Sequence, residues 1–576
     1  MEMTGAQIVC ESLKKLGVEV FFGIPGGQNL PLNDALGQCG IRYVLTRHEQ
    51  GASHMADGYA RATGKAGVCF ATSGPGATNL VTGLATAHMD SIPVVAITGQ
   101  VRTGVIGSDA FQEADITGIT RPITKHNFLV KDVRDLRRTM QEAFYIATTG
   151  RPGPVLVDIP VDVQRALTEW TWEDKIEMRS YKPTIKGHPM QIKRAAEMIK
   201  EAKRPLLYVG GGTIAAGASA ELKALAEKGN IPVVWTLMAN GAFPPDHVLH
   251  MGPLGMHGKY SANTAMQKAD LLISAGARFD DRVTGTLATF AQNSKKIHID
   301  IDPANISKTV FAHCPVVGDL KSVLGELAEA IPSLNHADWI KEINALDEKN
   351  PLVYKKDDVL RPQYLLDELH RLTKGDAIIT TGVGQHQMWA MQWYWCNKPR
   401  QFLTSGGLGT MGYGFPAAVG AKMAFPDRTV VCIEGDGSFQ MTASELATST
   451  VEKAPVLVVV INNFYLGMVR QWQELFYGER YSSSCLVEEG GVRKTKAEPK
   501  HLTDAYIPDF VKLAEAHGAK GIRVLKKDQV TSALEEALKE VKHRTVVLEV
   551  MIDPQEKVFP MVPAGKGLDD IIVDMA

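Results

Sequence analysis

The chain has 576 residues, 45% hydrophobic and 22% charged; at roughly 150 residues per domain, that length suggests three or four domains with cores that need no staples. The net charge of −2, without a basic or acidic block of domain size, argues against nucleic acid or an anionic membrane as the main partner. No apolar run approaches the ~20 residues of a spanning helix, no secretory signal is visible at the start, and the seven cysteines form no C-x-x-C pair. A cytoplasmic enzyme-like protein with mostly buried, free thiols is expected.

Along the chain, VEVFFGIP, GVCFATS, IPVVAITG and GPVLVDIP come first, then PLLYVGG, IPVVWTLM, ADLLISAG and KKIHIDID, and finally DAIITTG, RTVVCIEGDG, APVLVVVINN and TVVLEVMID. Unbroken Val/Ile/Leu runs predict strands covered on both faces. Their alternation with helical stretches predicts parallel sheets. Residues 166–188 and 333–361 are polar, Pro- or charge-rich, and read as linkers. The prediction is an α/β protein of three doubly wound parallel-sheet domains, 1–165, 189–335 and 360–576. Gly74 and Pro93 lie 19 residues apart, and Gly435 and Pro455 lie 20 apart, each pair spanning a helical stretch that leads to a strand. This echo fits either a plain βαβ unit or a duplicated domain.

The strongest motif joins Gly435-Asp436-Gly437-Ser438, at one strand end, to Asn462-Asn463, at the next. Neighbouring parallel strands finish on one edge, so Asp436 and Asn463 would present two oxygen ligands side by side. Hard oxygen donors with few carboxylates suit Mg²⁺ held with a phosphate group. A plain βαβ turn is the alternative. Arg47-His48-Glu49-Gln50, between a strand and a helix, is not a zincin motif, and alone its Glu49 reads equally as a first-turn acid. GGLGTMGYGFP is a Gly-rich turn before a helix, and Gly210, Gly211, Gly212 and Ala215 fit the dinucleotide fingerprint after a strand.

Together these motifs resemble the thiamine-diphosphate enzymes, and the resemblance to the catalytic subunit of acetolactate (acetohydroxyacid) synthases runs over nearly the whole chain. SGPGATN, DAFQE, TKHNFLV, RPGPVLVDIP, LGMVRQWQELFY and PMVPAGKGLDD carry it further. The resemblance implies thiamine diphosphate, Mg²⁺ and FAD as cofactors. It places Mg²⁺ on Asp436, Asn463 and the Tyr465 carbonyl, and the diphosphate near Gln385, His386, Gly437, Ser438, Gly467 and Met468. It assigns Glu49 to the aminopyrimidine ring, where a carboxyl favours the tautomer that acts as internal base. Gly409 and Met411 would hold that ring in a bent cofactor. Gln112 and Lys125 would lie near the reaction centre, and Trp472 would shape the pocket for the second keto acid; alone, Trp472 reads as core. FAD would contact Arg151, Gly210, Gly211, Gly212, Thr236, Leu237, Leu254, Gly255, Met256, His257, Gly276, Arg278, Phe279, Asp280, Asp300, Ile301, Gly318 and Asp319.

The implied reaction decarboxylates pyruvate and ligates the two-carbon unit to a second pyruvate or to 2-ketobutyrate, early in valine, leucine and isoleucine synthesis. Its partners are small 2-keto acids, a homodimer at least or a tetramer, and a small regulatory subunit. Departures from the family pattern are Val161 after the proline of VDIP, Gln28 after the glycine pair, Gly104, and a longer segment at 482–508, read as either a lid or a solvated insertion. Glyoxylate carboligase, which typically lacks the glutamate at position 49, pyruvate oxidase and an inactive α/β scaffold are the rival readings.

Overall fold

The computed structural model describes residues 1–487 and 508–574. Three six-stranded sheets carry the fold. In spatial order the first sheet runs Arg42–Leu45, Val20–Gly23, Gly67–Ala71, Val94–Gln100, Val155–Pro160 and His126–Leu129, all parallel. The third runs Phe402–Leu403, Ile378–Thr381, Val430–Gly435, Leu457–Asn462, Val546–Met551 and Lys520–Val524, also all parallel. Numbering strands along the chain within each sheet, both have the order 2-1-3-4-6-5. The central sheet runs His250–Pro253, Val233–Trp235, Pro205–Val209, Leu271–Ala275, Lys295–Asp300 and Cys314–Val317, with the dinucleotide-fold order 3-2-1-4-5-6. The Gly-to-Pro echo falls between the third and fourth strands of both outer sheets. Their common order favours the duplicated-domain reading.

The unbroken apolar runs are buried on both faces, as their pattern requires. Val430 and Cys432 enter one apolar cluster, while Val431 and Ile433 enter another on the opposite face. Cys69 and Ala71 likewise part from Val68 and Phe70. One cluster joins the first and third sheets through helices Glu49–Thr63 and Gly414–Ala424. Helix Glu49–Thr63 starts where His48 Nδ1 accepts the Gln50 N–H (3.0 Å) and ends at Gly64, whose φ of 78° suits glycine.

The two expected linkers hold more structure than their composition suggests. Leu167–Glu169 pairs antiparallel with Glu2–Thr4. Ala337–Lys349 is a helix whose Trp339 and Ile343, four residues apart, are buried, with the Trp339 indole donating to the Pro205 carbonyl (3.0 Å). Its charged run is the outer face of an amphipathic helix. Of the predicted insertion, residues 488–507 lie outside the described residues. Among the described residues, no helix is long and apolar enough to cross a membrane, and all seven cysteines are free.

Candidate functional site

Doubly wound sheets form a cleft where successive connections leave in opposite directions. In the third sheet this point lies between Ile378–Thr381 and Val430–Gly435. Asp436 opens the helix after the latter strand, is 4% exposed, and accepts the Gly437 N–H (3.0 Å). Burial away from water pushes its carboxyl up to about 7. Asn463 directly follows the neighbouring strand, donating to Gln385 Oε1 (3.1 Å) and accepting the Tyr465 N–H (3.1 Å). Phe464, in the left-handed region at φ 64°, makes the curl between them. Gln385 Nε2 continues the chain of bonds to Gln471 (2.9 Å) and the Glu556 carbonyl (3.0 Å).

Among the described residues, no cluster of three or more His, Cys, Asp or Glu is placed to hold a metal ion. Asp436, Asn463 and the Tyr465 carbonyl offer one carboxylate and two neutral oxygens instead, a set that suits Mg²⁺ shared with a diphosphate. The adjoining backbone is kept bare. A Cβ on Gly437 would stand 2.7 Å from Leu466 and 3.3 Å from Leu486, and one on Gly467 would stand 2.5 Å from Asn463 Nδ2. Met411 Cε lies 3.6 Å from that same Gly437 Cβ position, so the Gly-rich turn and the GDG motif meet. Ser438 Oγ accepts the Gly412 N–H (2.9 Å), Gly409 has φ 73°, and Met468 packs half-buried on the sheet. His386 is buried and its imidazole is held neutral, its pKa pushed down to about 3. Its Nε2 and Glu434 Oε2, 3.8 Å apart, are buried polar atoms without a hydrogen-bond partner beside the cleft.

A second group sits at the carboxyl edge of the first sheet. Glu49, 8% exposed, accepts from Asn79 Nδ2 (2.9 Å). The loop after Gly67–Ala71 is its hub. A Cβ on Gly76 would stand 3.3 Å from Glu49 Oε1, and one on Gly74 would stand 2.8 Å from the Gln112 carbonyl, Gln112 itself having φ 61°. Gln28 N–H donates to Thr72 in the same loop (3.3 Å). The structure therefore brings Glu49, Gln112 and Gln28 together. Lys125 is engaged elsewhere: its ammonium donates to the carbonyls of Ile146 and Thr149 (2.8 Å for the latter) and to Tyr181 (3.0 Å), and burial pushes its pKa down to about 8. Among the described residues, no hydrogen bond joins Glu49 to the Asp436 group.

The central sheet has its own cleft between Pro205–Val209 and Leu271–Ala275. Here the glycines pack backbone to backbone: a Cβ on Gly212 would stand 2.8 Å from Gly276 Cα, and one on Gly210 would stand 2.6 Å from Ala277 Cα. Gly276 has φ 62°. Gly211 faces Met238, and Thr236 N–H bonds the Val209 carbonyl (3.0 Å), leading into the turn at Leu237. Leu254 N–H bonds the Trp235 carbonyl (3.0 Å) and Gly255 has φ 110°. Met256 and His257 are tied to Val562 (2.7 Å) and Pro560 (3.2 Å) of the C-terminal segment. Arg278 pairs with Asp280 (2.6 Å) and Arg151 with Asp302 (3.3 Å). Asp300 accepts from the Asp302 N–H (2.9 Å), Ile301 is half-buried, Gly318 N–H bonds the Asp300 carbonyl (3.1 Å), and Asp319 caps helix Leu320–Ala330. The Phe279 side chain is buried against Tyr208 and His298, leaving only its backbone for a ligand. The tight strand–helix glycine crossing, with the turn at Gly276, suits a dinucleotide such as FAD.

Residues 3–119, 192–327 and 382–550 match the N-terminal TPP binding, central and C-terminal TPP binding domains of thiamine pyrophosphate enzymes. The chain is 52% identical to the acetolactate synthase of Mycobacterium bovis, over 99% of this chain and 91% of that one. It is 50% identical to the acetolactate synthase large subunit of Corynebacterium glutamicum (99% and 90%). The large subunit of acetolactate synthase isozyme 3 of Escherichia coli is 48% identical over 99% of both chains. The chain belongs to the acetolactate synthase large-subunit family of thiamine pyrophosphate enzymes.

In this member of the family, several residues that sequence motifs did not single out support the site. Glu445 accepts the Arg47 (3.1 Å) and His48 (3.0 Å) N–H groups just before Glu49, so a carboxylate on the third sheet's side places the glutamate of the first. Asp57, Arg61, Asp90 and Tyr413 form a buried network between the same two parts. Asp57 and Arg61, charges four apart on a helix buried nearly all round, were the one readable signal. Trp472, on helix Gly467–Phe476, is half-buried with its indole Nε1 buried and lacking a hydrogen-bond partner.

Proposed function

We propose that this chain decarboxylates pyruvate and joins the resulting two-carbon unit to a second pyruvate, giving 2-acetolactate, or to 2-ketobutyrate, giving 2-aceto-2-hydroxybutyrate. The observation that carries this reading is the buried group of Asp436, Asn463 and Gln385 at the third sheet's cleft, with one carboxylate, bare glycine backbone and Met411 beside it. Thiamine diphosphate, when bound, supplies the nucleophilic carbon and accepts the electron pair left by departing carbon dioxide. Asp436, Asn463 and the Tyr465 carbonyl hold Mg²⁺. Gln385, His386, Gly437, Ser438, Gly467 and Met468 surround the diphosphate, and Gly409 and Met411 support the rings. Glu49 holds the aminopyrimidine and moves its proton. Gln112 lies near the reaction centre, and Trp472 shapes the pocket for the second keto acid.

FAD belongs in the central cleft, without net redox change. The reading includes a homodimer at least, working in the cytoplasm with a small regulatory subunit. The test strips the purified protein of cofactors and adds each back while carbon dioxide release from pyruvate is followed. Release that requires thiamine diphosphate and Mg²⁺, with the flavin absorbance unchanged under anaerobic conditions, supports the reading. Anaerobic bleaching of the flavin by pyruvate supports an oxidase instead.

A further inference from the structure

Three consecutive residues, Met89, Asp90 and Ser91, touch both proposed cofactor sites. On the flavin side, the Met89 carbonyl accepts from Arg278 (3.0 Å) and the Ser91 hydroxyl accepts from Arg151 Nε (2.7 Å). On the thiamine side, the Asp90 carboxylate accepts the N–H groups of Gly406 (3.0 Å) and Gly407 (2.7 Å). These two glycines begin the turn that carries Gly409 and Met411. Ser91, at φ 61°, is the left-handed cap that ends helix Val81–Asp90.

The Gly-rich turn is anchored on the same side at three further points. Arg61, which grips Asp90 (2.8 Å), also donates to the Thr404 carbonyl (2.8 Å). The Thr86 and Thr410 hydroxyls bond each other (2.7 Å), and the Tyr413 hydroxyl donates to Asp57 (2.7 Å). Met238 closes the loop from the central sheet. Its side chain stands where a Cβ on Gly406 would fall, and a Cβ on Gly211 of the flavin cleft would lie 3.1 Å from its own Cβ. Arg151 and Arg278 thus tie the central cleft to the 89–91 turn through their own hydrogen bonds. That turn cannot move without dragging Gly406 and Gly407. Asp90 and Arg61, both buried and 2.8 Å apart, have discrete arrangements rather than a continuous range.

We propose that the Met89–Asp90–Ser91 turn couples the two cofactor sites, with Asp90 as the positioning residue: FAD in the central cleft fixes the turn, and the turn fixes the backbone that holds the thiamine ring. The inference rests on the cofactor assignment proposed above. It gives the flavin a role in a reaction with no net redox change.

Coupling of this kind is reciprocal and is read from binding alone. FAD is titrated into cofactor-free protein, followed by its own fluorescence, with and without thiamine diphosphate and Mg²⁺. In the unaltered chain, thiamine diphosphate should tighten FAD binding at least fivefold, and FAD should tighten thiamine diphosphate binding by the same factor. Asp90→Asn should reduce that factor below twofold while both cofactors still bind. Ser91→Ala, which removes only the Arg151 hydrogen bond, should cut it by at least threefold and decides the matter should Asp90→Asn fail to fold. Independent binding in the unaltered chain, or full coupling retained in either folded variant, overturns the proposal and leaves the functional reading intact. Failure of the unaltered chain to bind thiamine diphosphate at all overturns both.

Discussion

Gly58 and Ala417 bring two helices into backbone contact: a Cβ on Gly58 would stand 2.6 Å from Ala417 Cα. On the other side of the same crossing, a Cβ on Gly420 would stand 2.9 Å from Met55 Cα. The helices are Glu49–Thr63, which begins with the proposed catalytic glutamate, and Gly414–Ala424, which follows the Gly-rich turn. Their closeness ties the placement of Glu49 to that turn. Gly58→Ala and Gly420→Ala should each destabilise the protein by about 1–3 kcal/mol, because backbone must shift to admit the methyl group. Denaturant unfolding read at the midpoint checks this; a midpoint unchanged in both variants contradicts the packing.

Glu49→Gln keeps the shape and the hydrogen bond available from Asn79, but removes the group able to exchange a proton with the cofactor ring. Turnover should fall about 10²- to 10⁴-fold. Thiamine diphosphate affinity should change by only a few-fold. Steady-state kinetics beside calorimetric titration separates the two, and full turnover in Glu49→Gln would remove the carboxyl from the mechanism.

Gln385 holds Asn463 from behind, at 3.1 Å, and is itself held by Gln471 at 2.9 Å. Gln385→Ala should weaken Mg²⁺ binding in the presence of thiamine diphosphate about 10- to 100-fold, the range seen when partners of metal ligands are removed. Activity measured against Mg²⁺ concentration shows this as a shifted half-saturation point. An unshifted curve would mean that Asn463 does not need this support.

Asp158 gives a pH signature. It is buried on Val155–Pro160, accepts from Thr98 (2.7 Å) and Gln100 (2.9 Å), and burial pushes its carboxyl up to about 7. The native state thus binds a proton that the unfolded chain, with an ordinary carboxylate near 4, has released. The stability associated with that proton is fully present at acid pH below the unfolded value. It is lost progressively as pH rises toward 7, and above 7 no further loss accrues. Asp158→Asn should remove this slope, so its melting temperature relative to the unaltered protein should climb between pH 4 and pH 7 and then level. A constant offset across that range contradicts the raised pKa.

The motifs that sequence exposed most clearly are those built from neighbours. GDG and NN end adjacent strands, and Gly210 to Gly212 follow one strand directly, so residue type and spacing alone place them on sheet edges. What stayed hidden depends on partners far along the chain. Asp90 meets Gly406 across 316 positions, and Glu445 meets Arg47 across 398. Nothing local distinguishes either from a surface acid. Lys125 shows the converse: its motif is intact, yet its ammonium goes to the carbonyl end of helix Val133–Thr148. The helix Ala337–Lys349 leaves little apolar signal in the sequence because only Trp339 and Ile343 of its thirteen residues are buried.

The most direct test of the central reading is the product formed from carbon-labelled pyruvate by the purified protein with thiamine diphosphate, Mg²⁺ and FAD, followed by NMR. The account predicts one carbon dioxide and one 2-acetolactate for every two pyruvates, with 2-aceto-2-hydroxybutyrate appearing when 2-ketobutyrate is added. Acetaldehyde or acetate as the main product, or no consumption of pyruvate, would contradict it.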